Sequence, residues 1–137
     1  MRCLIVEDDF ISRKTLCRLL EPYGSADVAV DGEEAVRAVE NALLQGESYE
    51  LICLDIIMPG MDGQETLRQI RSLEDRHFVP MGEGARIVMT TSLEDRRNVM
   101  QAFRSLCDGY LVKPIKKKKL TETLLDLGLE IPANLGS

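Results

Sequence analysis

The sequence is poor in the features that mark many small specialised proteins. Its 137 residues hold one histidine, four cysteines and only 4% aromatics. Cys3, Cys17, Cys53 and Cys107 stand far apart, with no Cys-x-x-Cys pair and no flanking histidine. That spacing suggests neither a disulfide framework nor a zinc site, and the thiols read as small buried hydrophobes. No apolar run approaches the ~18 residues that a membrane span requires. The start Met1-Arg2-Cys3-Leu4 leads straight into a short apolar segment, unlike a signal sequence. A soluble, cytoplasmic protein is expected. Internal repeats are absent, and Lys116 to Lys119 is the one biased tract. With 17 Lys+Arg against 23 Asp+Glu the net charge is −6, which argues against nonspecific nucleic-acid binding. A chain of this length fits one domain and buries roughly 68% of its unfolded surface.

What is present is a regular alternation. Five short apolar runs, Cys3 to Val6, Val28 to Val30, Leu51 to Leu54, Ile87 to Met89 and Tyr110 to Val112, are too short for helices. Runs unbroken by polar residues suit strands of a parallel sheet covered on both faces. The segments between them carry the helical period. Ala35, Ala38, Val39, Ala42 and Leu43 fall at i, i+3, i+4, i+7 and i+8, and Val99, Ala102, Phe103, Leu106 and Cys107 repeat that spacing. Leu16, Leu19 and Leu20 mark a first helix, Leu67 and Ile70 anchor a third over about Gly63 to Leu73, and Leu120, Leu124 and Leu127 mark the last. Asp31 with Glu34 forms a capping-box-like start, and Pro22, Gly24 and Gly128 supply stops. Five βα repeats predict an α/β fold, a doubly wound five-stranded parallel sheet with helices on both faces. The domain is expected to span 1–128, with a short tail over 129–137 and no output domain. The connection from Glu74 to Arg86 is long and charged, and is expected to be a mobile surface insertion.

The polar residues follow the strands. Glu7, Asp8 and Asp9 follow the first, Asp55 ends the third, Thr90, Thr91 and Ser92 follow the fourth, and Lys113 and Pro114 follow the fifth. In open parallel sheets the site lies beyond the carboxyl ends of the strands, at the topological switch point. With strand order 2-1-3-4-5, Asp8, Asp9 and Asp55 converge there. Clustered carboxylates raise at least one pKa unless a cation relieves them. All-oxygen ligands with retained waters suit Mg²⁺. A cation beside a lysine invites a phosphoryl group, whose transfer needs charge neutralisation and an in-line nucleophile. Asp55 is a candidate nucleophile, since carboxylates form acyl phosphates.

With the acidic pair Asp8-Asp9, Asp55 in Leu54-Asp55-Ile56-Ile57-Met58-Pro59-Gly60, Thr91 in Met89-Thr90-Thr91-Ser92, and Tyr110 ahead of Lys113-Pro114, the sequence resembles the receiver domain of bacterial two-component response regulators, of the single-domain chemotaxis-regulator type. The resemblance covers about residues 2–128 and implies a flavodoxin-like fold. It implies that Asp55 takes a phosphoryl group from a sensor histidine kinase or histidine phosphotransfer protein. Asp8, Asp9, Asp55 and the backbone carbonyl of Ile57 would hold Mg²⁺, and Lys113 and Thr91 would bind the phosphoryl oxygens. The Lys113-Pro114 bond would be cis, and Thr91 and Tyr110 would switch a surface formed by the fourth helix, fifth strand and fifth helix. That surface would meet a downstream protein target or a second copy of the chain; direct DNA binding and membrane contact are not expected. A stand-alone receiver and one belonging to a larger regulator or hybrid kinase both fit the sequence.

Each residue has a plainer reading. Asp9 by itself would be a helix cap; the company of Asp55 and Lys113 favours the ligand. Asp62-Gly63 reads as a turn and cap, His77 as an exposed loop residue, and Tyr110 as a switch only narrowly ahead of an edge residue. Lys116 to Lys119 is a solvated first helical turn or a protein-docking surface. An aspartate-nucleophile phosphohydrolase would place its nucleophile on the first strand with a second Asp two residues on, where Ile57 stands here relative to Asp55. A flavodoxin-like cofactor binder would carry a Gly/Ser/Thr-rich phosphate loop after the first strand, which here is acidic. Apolar Ile57 and Leu93, two residues after Asp55 and Thr91, predict slow loss of a bound phosphoryl group.

Overall fold

A computed structural model describes residues 1–58, 60–92 and 106–131. Its elements run β1 (Arg2–Val6), α1 (Phe10–Leu20), a 3₁₀ turn (Glu21–Tyr23), β2 (Ser25–Ala29), α2 (Gly32–Leu44), β3 (Leu51–Asp55), α3 (Gly63–Arg76), β4 (Arg86–Thr91), β5 (Gly109–Val112) and α4 (Lys117–Asp126). The expected helix carrying Val99, Ala102 and Phe103 lies outside the described residues, as does Leu93, so the C-terminal helix is labelled α4.

All strand pairings are parallel, in the order β2-β1-β3-β4-β5. Side chains alternate across a strand, and the two faces bury different sets. Leu4, Val6, Ile52, Leu54, Ile87 and Met89 face α2 and α3, meeting Val39, Leu67 and Ile70. Cys3, Ile5, Cys53, Val88 and Leu111 face α1 and α4, meeting Leu16, Leu20, Leu120 and Leu124. Most of these are under 2% exposed, and each large side chain contributes roughly 1.5 to 3 kcal/mol. Because α1 and α3 cover opposite faces, the crevice between the carboxyl ends of β1 and β3 stays open.

Local chemistry sets the element ends. Asp9, Asp31 and Asp62 cap α1, α2 and α3, their carboxylates accepting from the backbone N–H of Ser12, Glu34 and Glu65. Gly63 admits no side chain, since a Cβ there would lie 2.4 Å from the Asp55 carbonyl oxygen. That contact seats the start of α3 directly under the end of β3. Burial pushes the thiols of Cys3 and Cys53 up to about 11 and about 12, in keeping with small buried hydrophobes.

Two expectations need correction. β2 is an edge strand with only Ala29 fully buried, and runs Ser25–Ala29 rather than Val28–Val30. The segment after Leu73 is no loose insertion, because α3 continues to Arg76 and Glu74 is buried. The Glu74 carboxylate accepts from the Ala85 N–H at 2.7 Å. The Arg71 guanidinium donates to Glu74, to the carbonyls of Ala85 and Leu106, and to Asp108. Only the tip stands free, with Phe78 and Met81 fully exposed.

Candidate functional site

The first acidic residue after β1 turns inward. The Glu7 N–H donates to the Ala29 carbonyl at 3.0 Å, extending the β1–β2 ladder by one residue and leaving the Glu7 side chain with no exposure. The Arg13 guanidinium donates to the carbonyls of Glu7 and Asp8 at 3.0 and 3.4 Å, holding this turn against α1. Asp55, the last residue of β3, is 6% exposed, and its Oδ1 accepts from the Ile57 N–H at 3.4 Å. Lys113 enters from the end of β5, beside a cis Lys113-Pro114 bond. Its Nζ lies 2.6 Å from Glu7 Oε1 and 3.5 Å from Asp55 Oδ2.

Glu7, Asp8 and Asp55 present carboxylate oxygens within 4.8 Å of one another. Burial pushes the Asp55 carboxyl up to about 7, and the adjoining Glu7 carboxylate adds to this; Lys113 pulls the other way and loses. For Glu7, burial also opposes charge, but hydrogen bonds from Asp55 and Lys113 outweigh it and bring its pKa below the usual value. Lys113 is likewise held above its ordinary value, its two acidic partners overcoming the cost of burial. A proton on Asp55, hydrogen-bonded to Glu7, would relieve the crowding of the three carboxylates. A divalent cation would do the same without that proton, and the all-oxygen donor set fits a hard ion such as Mg²⁺.

The sequence-derived residues divide accordingly. Asp8, Asp55 and Lys113 are brought together. Asp9 is not with them: its side chain accepts from the Ser12 N–H at 2.9 Å as the cap of α1, and that bond holds its pKa below the ordinary carboxylate value. Glu7, not Asp9, completes the group of carboxylates that could hold a metal ion. Two signals pointed there: Glu7 directly follows the last strand residue, and Asp9-x-x-Ser12 is a capping spacing. Thr91, 2% exposed, ends β4 and donates its hydroxyl to the Ser92 carbonyl at 3.0 Å, while its own carbonyl accepts from the Lys113 N–H at 2.7 Å. The neighbouring Thr90 hydroxyl is buried with no partner among the described residues. Tyr110 is half-buried against the face that α2 and α3 cover. Ile57 is 64% exposed beside Asp55. His77 closes α3, its N–H donating to the Leu73 carbonyl, far from the acidic group.

Comparison with known proteins identifies the family. The family model for the response regulator receiver domain matches residues 3–125. The chain is 36% identical over 130 residues to the regulatory protein VanRB of Enterococcus faecalis, covering 91% of this chain and 52% of that protein. It is 31% identical over 125 residues to the chemotaxis protein CheY of Treponema pallidum, covering 90% and 79%. Other relatives are far longer; the chain spans 10% of a yeast osmosensing histidine kinase. Among solved structures, the receiver domain of the Arabidopsis thaliana histidine kinase CKI1, complexed with Mg²⁺ and BeF₃⁻, superposes with a TM-score of 0.73 at 28% identity, covering 93% of this chain and 89% of that one. No helix among the described residues is long and apolar enough to cross a membrane. The sheet order, the acids and lysine at its open end, and a family match over nearly the whole length make one conclusion: this chain belongs to the response regulator receiver domain family, the domain of phosphorylated signalling switches found in response regulators and histidine kinases.

Proposed function

We propose that Asp55 is the phosphoacceptor, taking a phosphoryl group from a phosphohistidine on a sensor kinase or phosphotransfer protein. One observation carries the reading: Glu7, Asp8, Asp55 and Lys113 meet at a single open rim. An Asp55 carboxylate oxygen attacks phosphorus in line, the P–N bond breaks, and the imidazole leaves. Glu7, Asp8, Asp55 and the Ile57 carbonyl would hold Mg²⁺, which supplies charge neutralisation at the phosphoryl oxygens. Lys113, held 2.6 Å from Glu7, exchanges that partner for the phosphoryl oxygens, and Thr91 exchanges the Ser92 carbonyl for another.

Phosphorylation adds about −1.5 to −2 charges. Two charge-assisted hydrogen bonds at roughly 1.5 to 3 kcal/mol each amount to about 3 to 6 kcal/mol. Moving a population from 1:99 to 99:1 takes about 5.5 kcal/mol, so Thr91 and Lys113 are nearly sufficient to drive a switch. Tyr110, half-buried at present, would rotate inward as Thr91 moves, changing the surface around β5 and α4 where a downstream protein or a second copy docks. The protein would act in the cytoplasm, and its only chemistry would be its own phosphorylation and dephosphorylation.

The test is incubation with acetyl phosphate and Mg²⁺, read by intact mass and by sizing. Labelling is expected to be Mg²⁺-dependent, to stop at one phosphoryl group per chain and to vanish in Asp55→Ala. Continuous turnover of the phosphate donor, or undiminished labelling of the variant, would refute the proposal.

A further inference from the structure

The Lys113 side chain reaches past two strands. It starts beyond β5 and its Nζ lies 2.6 Å from Glu7, at the end of β1, with β3 and β4 between them. The register names what it spans. Asp55 pairs with Thr90 and Thr90 with Leu111, while Glu7, one residue after the Val6–Leu54 pair, is level with Asp55. Paired residues of neighbouring strands project to the same face of a sheet, here the face where Val88 and Leu111 lie under α1 and α4. Lys113 comes two residues after Leu111, and its N–H still donates to the Thr91 carbonyl at 2.7 Å, so it projects to that face too. Glu7, Asp55 and Thr90 thus form one polar row, with Lys113 laid across it.

Thr90 is the unexplained member of that row. It is 1% exposed, and its hydroxyl has no hydrogen-bond partner among the described residues. Glu7 and Asp55 both face the Lys113 ammonium, at 2.6 and 3.5 Å. A buried hydroxyl without a partner destabilises a fold, and valine, of the same shape, would remove that cost. Such a group calls for a partner that arrives when the site changes state.

We propose that Thr90 positions Lys113: its hydroxyl oxygen accepts from the ammonium when a divalent cation takes up the Glu7 carboxylate, holding the lysine beside Asp55. A cation and an ammonium compete for the same carboxylate oxygens, so loading the site costs Lys113 its 2.6 Å partner. An ammonium carries three donors and no acceptor, and leaving it half-buried without a partner is unfavourable. Thr90 stands between Asp55 and the strand that leads to Lys113, so the exchange shortens the lysine's reach and leaves its other donors for phosphoryl oxygens. Thr91 projects to the opposite face and donates to the Ser92 carbonyl, so it cannot serve in that place. The inference rests on Asp55 as phosphoacceptor and on the neighbouring carboxylates as the cation's ligands.

The full chain is compared as wild type, Thr90→Val and Thr90→Ser. In chelator, Thr90→Val should unfold about 4 °C above wild type, because the unpaired hydroxyl is gone. On addition of Mg²⁺ alone, the Lys113 ammonium signal in ¹H–¹⁵N NMR should shift and sharpen in wild type and Thr90→Ser, and broaden by faster exchange with water in Thr90→Val. With acetyl phosphate and Mg²⁺, labelling should slow about tenfold in Thr90→Val, for one lost hydrogen bond to a charged group, and return to within about twofold of wild type in Thr90→Ser. A merely structural threonine gives the reverse order of labelling, since valine fills the site better than serine. A Thr90→Val chain no more stable than wild type, wild-type labelling in that variant, slow labelling in Thr90→Ser, or an ammonium signal that responds alike in all three would overturn the proposal. No labelling of wild type would instead refute the phosphoacceptor reading, and the response of the ammonium to Mg²⁺ would still decide the part of Thr90.

Discussion

Replacing Asp55 with asparagine should stabilise the metal-free domain, and only above a definite pH. Asp55 sits 6% exposed against a second buried carboxylate, and its pKa rises from 3.8 to about 7. At about 1.4 kcal/mol per tenfold change in proton affinity, ionising it inside the fold costs about 4 kcal/mol relative to the unfolded chain. Glu7 moves the opposite way and offsets part of that, leaving an expected net destabilisation of about 2 kcal/mol. A carboxyl whose proton affinity increases on folding contributes stability that is complete below about pH 4, and that contribution is lost as pH climbs toward about 7. In Asp55→Asn the amide donates to Glu7 as the protonated acid does, without titrating. The variant should therefore unfold about 6 to 10 °C higher than wild type at pH 8 in chelator, for about 2 kcal/mol. The gap should close near pH 4, and shrink or reverse at pH 8 with millimolar Mg²⁺, which stabilises only the ionised acid. Thermal unfolding by circular dichroism at the two pH values, with and without Mg²⁺, reads all of this. A pH-independent gap, or a variant less stable than wild type at pH 8 in chelator, would refute this account of Asp55.

Three further outcomes follow. Asp9→Ala, which removes the cap on α1, should cost about 1 kcal/mol of stability by denaturant titration yet leave Mg²⁺-dependent labelling nearly intact, whereas Asp8→Asn should abolish labelling; the opposite pattern would restore Asp9 as the ligand. Ile57→Asn places a water-binding amide beside the acyl phosphate in place of an exposed apolar group, and should shorten the lifetime of the label several-fold; an unchanged decay would show that Ile57 does not shield the phosphoryl group. Phe78 has φ 60 just past the end of α3, with the Val79 N–H donating to the Glu74 carbonyl, and is 91% exposed. Phe78→Gly should therefore raise stability by about 1 kcal/mol, measured by urea midpoint, since a left-handed position favours glycine and no burial is lost.

The alternation of short apolar runs with 3.6-residue periods determined the sheet, its covering helices and the strand ends where chemistry gathers. Those signals are local, because each strand or helix must show its own apolar face whatever its neighbours do. Asp55 and Lys113 were legible for the same reason: each follows a strand too apolar to be mistaken. Which two of three consecutive acids face the crevice was a tertiary decision. β1 gains one further ladder bond at Glu7, and the first turn of α1 needs a carboxylate at Asp9, so register between elements turned Glu7 inward and Asp9 outward. The continuation of α3 was equally invisible, because Glu74 is held by Ala85 and by an Arg71 that also binds Asp108, 37 residues away. Periodicity along the chain carries no record of contacts that distant, and only folding brings such partners within a hydrogen bond's reach.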